Sequence, residues 1–88
     1  YILIYTIFRR KLDVMYQRLR DLREDNDLTQ KQIATYLSFT HSAYAKIERG
    51  ERILSAEVLI KLSNLYNVSI DYLLGLTDFP HRIKNNIK

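Results

Sequence analysis

The chain has 88 residues, 47% of them hydrophobic, with seven Tyr, three Phe, two Gly, one Pro and no Cys. That length makes one domain with a modest core, and so little Gly and Pro excludes a disordered tail or linker. Without Cys there is no disulfide framework or thiolate metal site, and His41 and His81 are too far apart in sequence to hold zinc without carboxylate help; no metal and no cofactor is expected.

The formal net charge of +4 is a weak pointer to nucleic acid because it sits at the ends of the chain. Arg9, Arg10 and Lys11 crowd the first twelve residues and Arg82, Lys84 and Lys88 the last eight, whereas residues 13–80 hold eight Lys/Arg against ten Asp/Glu. The informative charges are local. Lys46, Arg49 and Arg52 fall within seven residues, away from the acids Asp21, Glu24, Asp25 and Asp27.

The opening run YILIYTIF is far too short to span a bilayer, and no basic segment precedes it as a secretory signal requires. The expectation is a soluble, cytoplasmic protein with no membrane partner. Met15 stands just before the regular pattern begins, so residues 1–13 read as an apolar and basic extension to a domain over 14–77, followed by a basic tail over 78–88. Two physical readings fit YILIYTIFRRKLD. Helix 1 continued backwards carries Ile4, Phe8, Leu12 and Met15 as a stripe; a β-branched and aromatic strand pairs instead across a two-fold axis.

From Val14 to Asp25 the spacing of Tyr16, Leu19 and Leu22 predicts helix 1. One device then marks four more helix starts. An apolar residue, a hydroxyl N-cap and an apolar residue four positions later recur as Leu28-Thr29 with Ile33, Phe39-Thr40 with Tyr44, Leu54-Ser55 with Leu59, and Val68-Ser69 with Leu73. In this staple the hydroxyl satisfies an orphan N–H while the apolar pair fixes the angle at which the chain enters the helix. Gln32 completes a capping box with Thr29.

Helix 2 is therefore expected over residues 30–37, helix 3 over 41–49 with Gly50 as its left-handed stop, and helix 4 over 56–66 with Val58, Leu59, Leu62 and Leu65 inward. Helix 5 runs from Ile70 to Leu74 and is closed by Gly75. Only Ser38-Phe39-Thr40 separates helices 2 and 3, which sets them at a steep angle. Ala34 provides the small side chain such a crossing needs, and Ile33, Leu37, Phe39, Tyr44 and Ile47 fill the shared interior. Opposite that interior, helix 3 carries His41, Ser42, Lys46 and Arg49, a face of hydrogen-bonding groups.

The stretch from Arg18 to Gly75 resembles the lambda-repressor-like, Cro-type helix-turn-helix family, the xenobiotic-response-element family of bacterial and phage regulators. RLRDLRED, LTQKQIA, KIERGER and VSIDYLLG each match a block of that family in order and spacing. The resemblance implies a compact all-α domain of five helices that binds double-stranded DNA as a transcriptional regulator, a repressor, with helix 3 in the major groove. It implies base reading by His41, Ser42, Ala45 and Lys46, and phosphate contact or positioning by Gln30, Thr40, Arg49 and Arg52. It also implies an internal salt bridge between Arg23 and Glu48. So few base pairs fall under one such domain that a homodimer on a palindromic operator is expected.

Two positions depart from the family pattern. Ser38 stands where a turn glycine is usual, so a non-Gly residue has to take positive φ. Tyr44 replaces a small aliphatic residue; its ring either fills the core with the hydroxyl escaping to solvent, or tilts helix 3. A protein-interaction module on the same fold is the rival reading. An enzyme finds no support, for there is no Cys nucleophile, no Ser-His-carboxylate grouping, no phosphate loop and no metal cluster in the sequence.

Overall fold

The computed structural model describes residues 2–81, apart from the side chains of residues 7–9 and 11. Five α-helices follow one another: α1 Ile2–Asp25, α2 Gln30–Leu37, α3 His41–Glu48, α4 Ala56–Tyr66 and α5 Ile70–Leu73. Among the described residues there is no strand. The basic residues expected in the tail, Arg82, Lys84 and Lys88, and the Phe8 side chain lie outside the described residues.

All four hydroxyl N-caps form. Thr29, Thr40, Ser55 and Ser69 accept from the N–H of Gln32, Ala43, Val58 and Tyr72 at 3.0–3.2 Å. The capping box at α2 is closed by the Thr29 N–H donating to Gln32 Oε1 at 2.8 Å.

The opposite ends share a second device. Asp27, Ser38, Gly50, Asn67 and Gly75 all adopt left-handed backbone, with φ between 55 and 77°. After each of them, the next N–H donates to the carbonyl five residues back: Leu28 to Arg23, Phe39 to Ala34, Glu51 to Lys46, Val68 to Ser63 and Leu76 to Asp71. This is the Schellman arrangement, which satisfies carbonyls that the helix itself leaves orphaned. Only two of the five left-handed positions are glycine; Asp, Ser and Asn hold the others at a small steric cost.

Helix 1 differs from its expected start. It is continuous from Ile2 through Val14, so the strand reading of the opening segment is overturned. Extending a helix whose C-terminal half is already packed adds one hydrogen bond per residue without a new nucleation cost, which favours continuation over β-propensity. Among the described side chains, burial begins at Leu12 and Met15, and Ile2, Leu3, Ile4 and Tyr5 stay exposed.

The core collects Leu19 from α1, Ile33, Ala34 and Leu37 from α2, Tyr44 and Ile47 from α3, Val58 and Leu62 from α4, then Val68 and Leu73. Phe39, Leu59 and Leu65 pack around its edge, partly exposed. Arg18, which the sequence pattern did not single out, ties the end of the domain to α1. Its Nη1 donates to the carbonyls of Tyr72 at 2.7 Å and Thr77 at 2.5 Å, it pairs with Asp78, and its guanidinium lies 4.1 Å from the centre of the Tyr72 ring.

Gly50 has two reasons to be glycine. Its φ is +77°, and a Cβ built there would come within 2.8 Å of the Tyr16 ring edge. Gly50→Ala is expected to cost about 1–3 kcal/mol in a thermal or urea melt. Gly50→Asn, which tolerates the backbone but not the crowding, should also destabilise unless Tyr16 is shortened in the same chain. An Asn variant as stable as the parent would show that the ring moves aside freely.

Candidate nucleic-acid interface

The surface built by α2, its turn and α3 begins with the left-handed Ser38. Together with the Thr40 cap it ends α2 and starts α3 within three residues, and the first two residues of α3, His41 and Ser42, are exposed. Along α3 the inner face is Tyr44, Ile47 and Glu48, all buried. The outer face presents His41, Ser42 and Lys46 exposed, with Ala45 half-buried between them. These four residues occupy one strip about two turns long, set by the 3.6-residue period.

Beneath the strip lies a polar cluster centred on Glu48, whose side chain is 1% exposed. Arg23 on α1 donates from Nε and Nη2 to Glu48 Oε2 and Oε1 at 2.6 and 3.2 Å, a two-point pair joining α1 to α3. Arg23 Nη1 also donates to the Leu28 carbonyl at 3.0 Å, and Arg20 Nε stands 4.0 Å from Glu48 Oε1. Burial by itself would push the Glu48 carboxyl up; hydrogen bonds from Arg23 and Gln30 outweigh it and hold the group below the usual carboxylate range.

Tyr44 does not send its hydroxyl to solvent. The whole residue is buried, and the hydroxyl lies beside the Glu48 carboxylate without a hydrogen bond of standard geometry. Burial and the neighbouring carboxylate raise it far above an ordinary phenol. The Tyr66 hydroxyl is likewise buried and unpartnered, and burial with the Glu48 charge pushes it up to about 12. Both rings fill the core, and both hydroxyls stay neutral.

The positioning residues differ in how free they are. Thr40 spends its oxygen on the α3 cap. Both ends of the Gln30 amide are engaged: Nε2 donates to Glu48 Oε1 at 3.1 Å, and Oε1 faces His41 Nε2 at 3.2 Å. Arg49, one residue past α3, pairs with Glu51, and both side chains are about half exposed. That hydrogen bond holds the Glu51 carboxylate below its ordinary range. Arg52 leans over the Phe39 ring, 4.9 Å from its centre, which plants a cation beside the turn between α2 and α3. Sequence reasoning did not find the Gln30 bridge or the Arg49–Glu51 pair, because both depend on side-chain directions that spacing does not encode.

Among the described residues no group of three or more His, Cys, Asp or Glu could hold a metal ion, and no helix is long and apolar enough to cross a membrane. The five helices of the described residues, a three-residue turn between α2 and α3 and a polar outer strip on the second of that pair define a lambda-repressor-like helix-turn-helix domain. The chain belongs to the helix-turn-helix family of the Cro/C1 type, whose pattern matches residues 19–73. It is 42% identical over 64 residues to the uncharacterized HTH-type transcriptional regulator YobD of Bacillus subtilis, a match covering 73% of this chain and 57% of that one. It is 44% identical over 59 residues to the HTH-type transcriptional regulator ImmR of the same organism, covering 67% and 46%. The cryptic phage CTXphi transcriptional repressor RstR of Vibrio cholerae matches at 29% over 73 residues, covering 81% and 66%. The match spans about half the length of the two Bacillus relatives.

Proposed function

We propose that the domain binds double-stranded DNA sequence-specifically and works as a non-enzymatic, cytoplasmic transcriptional repressor. In this reading α3 lies in the major groove, with His41, Ser42, Ala45 and Lys46 toward base edges. Gln30, Thr40, Arg49 and Arg52 fix its register against phosphates or hold a reading side chain in place.

The observation that carries the reading is the outer strip of α3. Its polar side chains are exposed, its backbone is held at both ends by caps, and its last residue is anchored to α1 through Glu48 and Arg23. A reading helix must be presented rigidly in this way, because misplacing a hydrogen-bonding group loses the discrimination it provides. The relatives named as transcriptional regulators, one of them a repressor, support the same assignment.

One such domain covers too few base pairs to be selective in a genome, so two copies on a palindromic operator complete the proposal. Selection of bound fragments from random duplex DNA is the direct test. A recovered half-site repeated in inverted order at about one helical turn is the expected result. Retention of all sequences alike, with no loss of binding as salt rises, would favour the protein-interaction reading instead.

A further inference from the structure

The polar cluster under α3 determines which kind of base His41 can read, if the base-reading role above holds. The argument begins at Glu48. An ionised carboxylate has only acceptors, so the end of the Gln30 amide that faces Glu48 Oε1 at 3.1 Å has to be the NH2 group. The reverse orientation would set two oxygens against each other in a buried site. Gln30 Oε1 is thereby turned toward His41 Nε2, at 3.2 Å.

A carbonyl oxygen only accepts. The His41 nitrogen facing it therefore carries the proton, and in the neutral ring Nδ1 keeps a free lone pair. His41 is exposed, and among the described residues its Nδ1 has no protein hydrogen bond. An acceptor at that position matches an exocyclic amino group and meets only other acceptors on the major-groove edge of guanine.

We infer that Glu48, acting through Gln30 as a positioning residue, locks His41 as the Nε2–H tautomer, so that its Nδ1 accepts from a base amino group, adenine N6 or cytosine N4. Hydrogen-bond polarity is thus handed from a buried charge on the inner face of α3 to the first reading residue on its outer face. The three groups lie on α2 and α3, so the relay also fixes the spacing of the two helices.

Long-range proton–nitrogen correlation spectra of the imidazoles, taken on the free protein at about pH 8 where histidine is ordinarily neutral, test the tautomer without DNA. His41 is expected wholly as Nε2–H. In Gln30→Met, which keeps the length and removes the amide, it should relax to the mixture shown by the exposed His81 of the same sample. An Nδ1–H ring, or a His41 mixture equal to that of His81 in the parent chain, overturns the proposal.

The second readout uses the selected operator and its single-base variants. At the base pair where His41→Ala removes preference, the parent should favour adenine or cytosine opposite the ring, and Gln30→Met should lower that discrimination about tenfold while sparing other positions. A guanine favoured there overturns the recognition half even if the tautomer is as stated. Sequence-blind binding with the Nε2–H tautomer intact would count against the base-reading role itself, so the two failures are separable.

Discussion

Glu48→Ala should lower the unfolding free energy by about 3–5 kcal/mol, the range found when one partner of a buried ion pair is removed. The side chains of Arg23 and Glu48 are only 14% and 1% exposed, so water cannot replace what the substitution takes away. Three groups lose their acceptor together: Arg23 Nε, Arg23 Nη2 and Gln30 Nε2. The Leu28 carbonyl remains for Arg23, which keeps the guanidinium from being wholly orphaned and argues for the lower half of that range. Glu24→Ala, on the exposed side of α1, should stay within about 0.5 kcal/mol. Equal melting for the two variants would mean that the Arg23–Glu48 pair contributes nothing.

The same pair gives the domain an acid limb. Because the Glu48 carboxyl is held below its unfolded value, its contribution is complete above the ordinary carboxylate range near about pH 4.3 and fades as pH falls through the lower folded value. Stability should therefore rise from pH 3 to pH 6, with no further gain from this group above it. Glu48→Gln should flatten that rise, and melts at a few pH values suffice to see it.

Where the sequence spoke clearly, it did so through chemistry confined to a few neighbouring residues. A staple and a hydroxyl cap lie within six consecutive positions, so Thr29, Thr40, Ser55 and Ser69 could be read directly, and α4 and the starts of α2, α3 and α5 followed. Glycine at positive φ is equally local, which is why Gly50 and Gly75 marked helix ends. Asp27 and Asn67 do the same work less visibly. Both residue types serve many loop roles, so no pattern separated these two from the rest.

Residues whose partners lie far along the chain were harder to read. Arg18 reaches carbonyls 54 and 59 positions away, and nothing near it in the sequence signals that. The first half of α1 left helix and strand open, because a short β-branched and aromatic run satisfies both periods until its packed continuation decides. At the interface the outer strip was legible from helical spacing, but its internal pairings were not. Gln30 and Arg49 read as phosphate-contacting or positioning residues with no protein partner named; Gln30 is shared between Glu48 and His41, and Arg49 is held by Glu51.

That last pairing sharpens what substitutions on α3 should do to DNA binding. Lys46 stands on the outer strip, where its ammonium can donate to guanine O6 and N7, so Lys46→Ala should weaken specific binding by about 1–3 kcal/mol and relax preference at one base pair. Arg49 sits at the end of α3 beside Glu51, and under the proposed reading it meets phosphate, so Arg49→Ala should weaken every sequence alike and lower the salt slope by about one. Because Glu51 competes with phosphate for the Arg49 guanidinium, Glu51→Gln should act in the opposite sense, strengthening all sequences and steepening the salt slope without changing base preference. Fluorescence titrations on the selected site and its single-base variants, each at two salt concentrations, separate the three outcomes. If Lys46→Ala keeps the full base preference and only lowers the salt slope, Lys46 is a phosphate contact, and the discrimination must come from His41, Ser42 and Ala45.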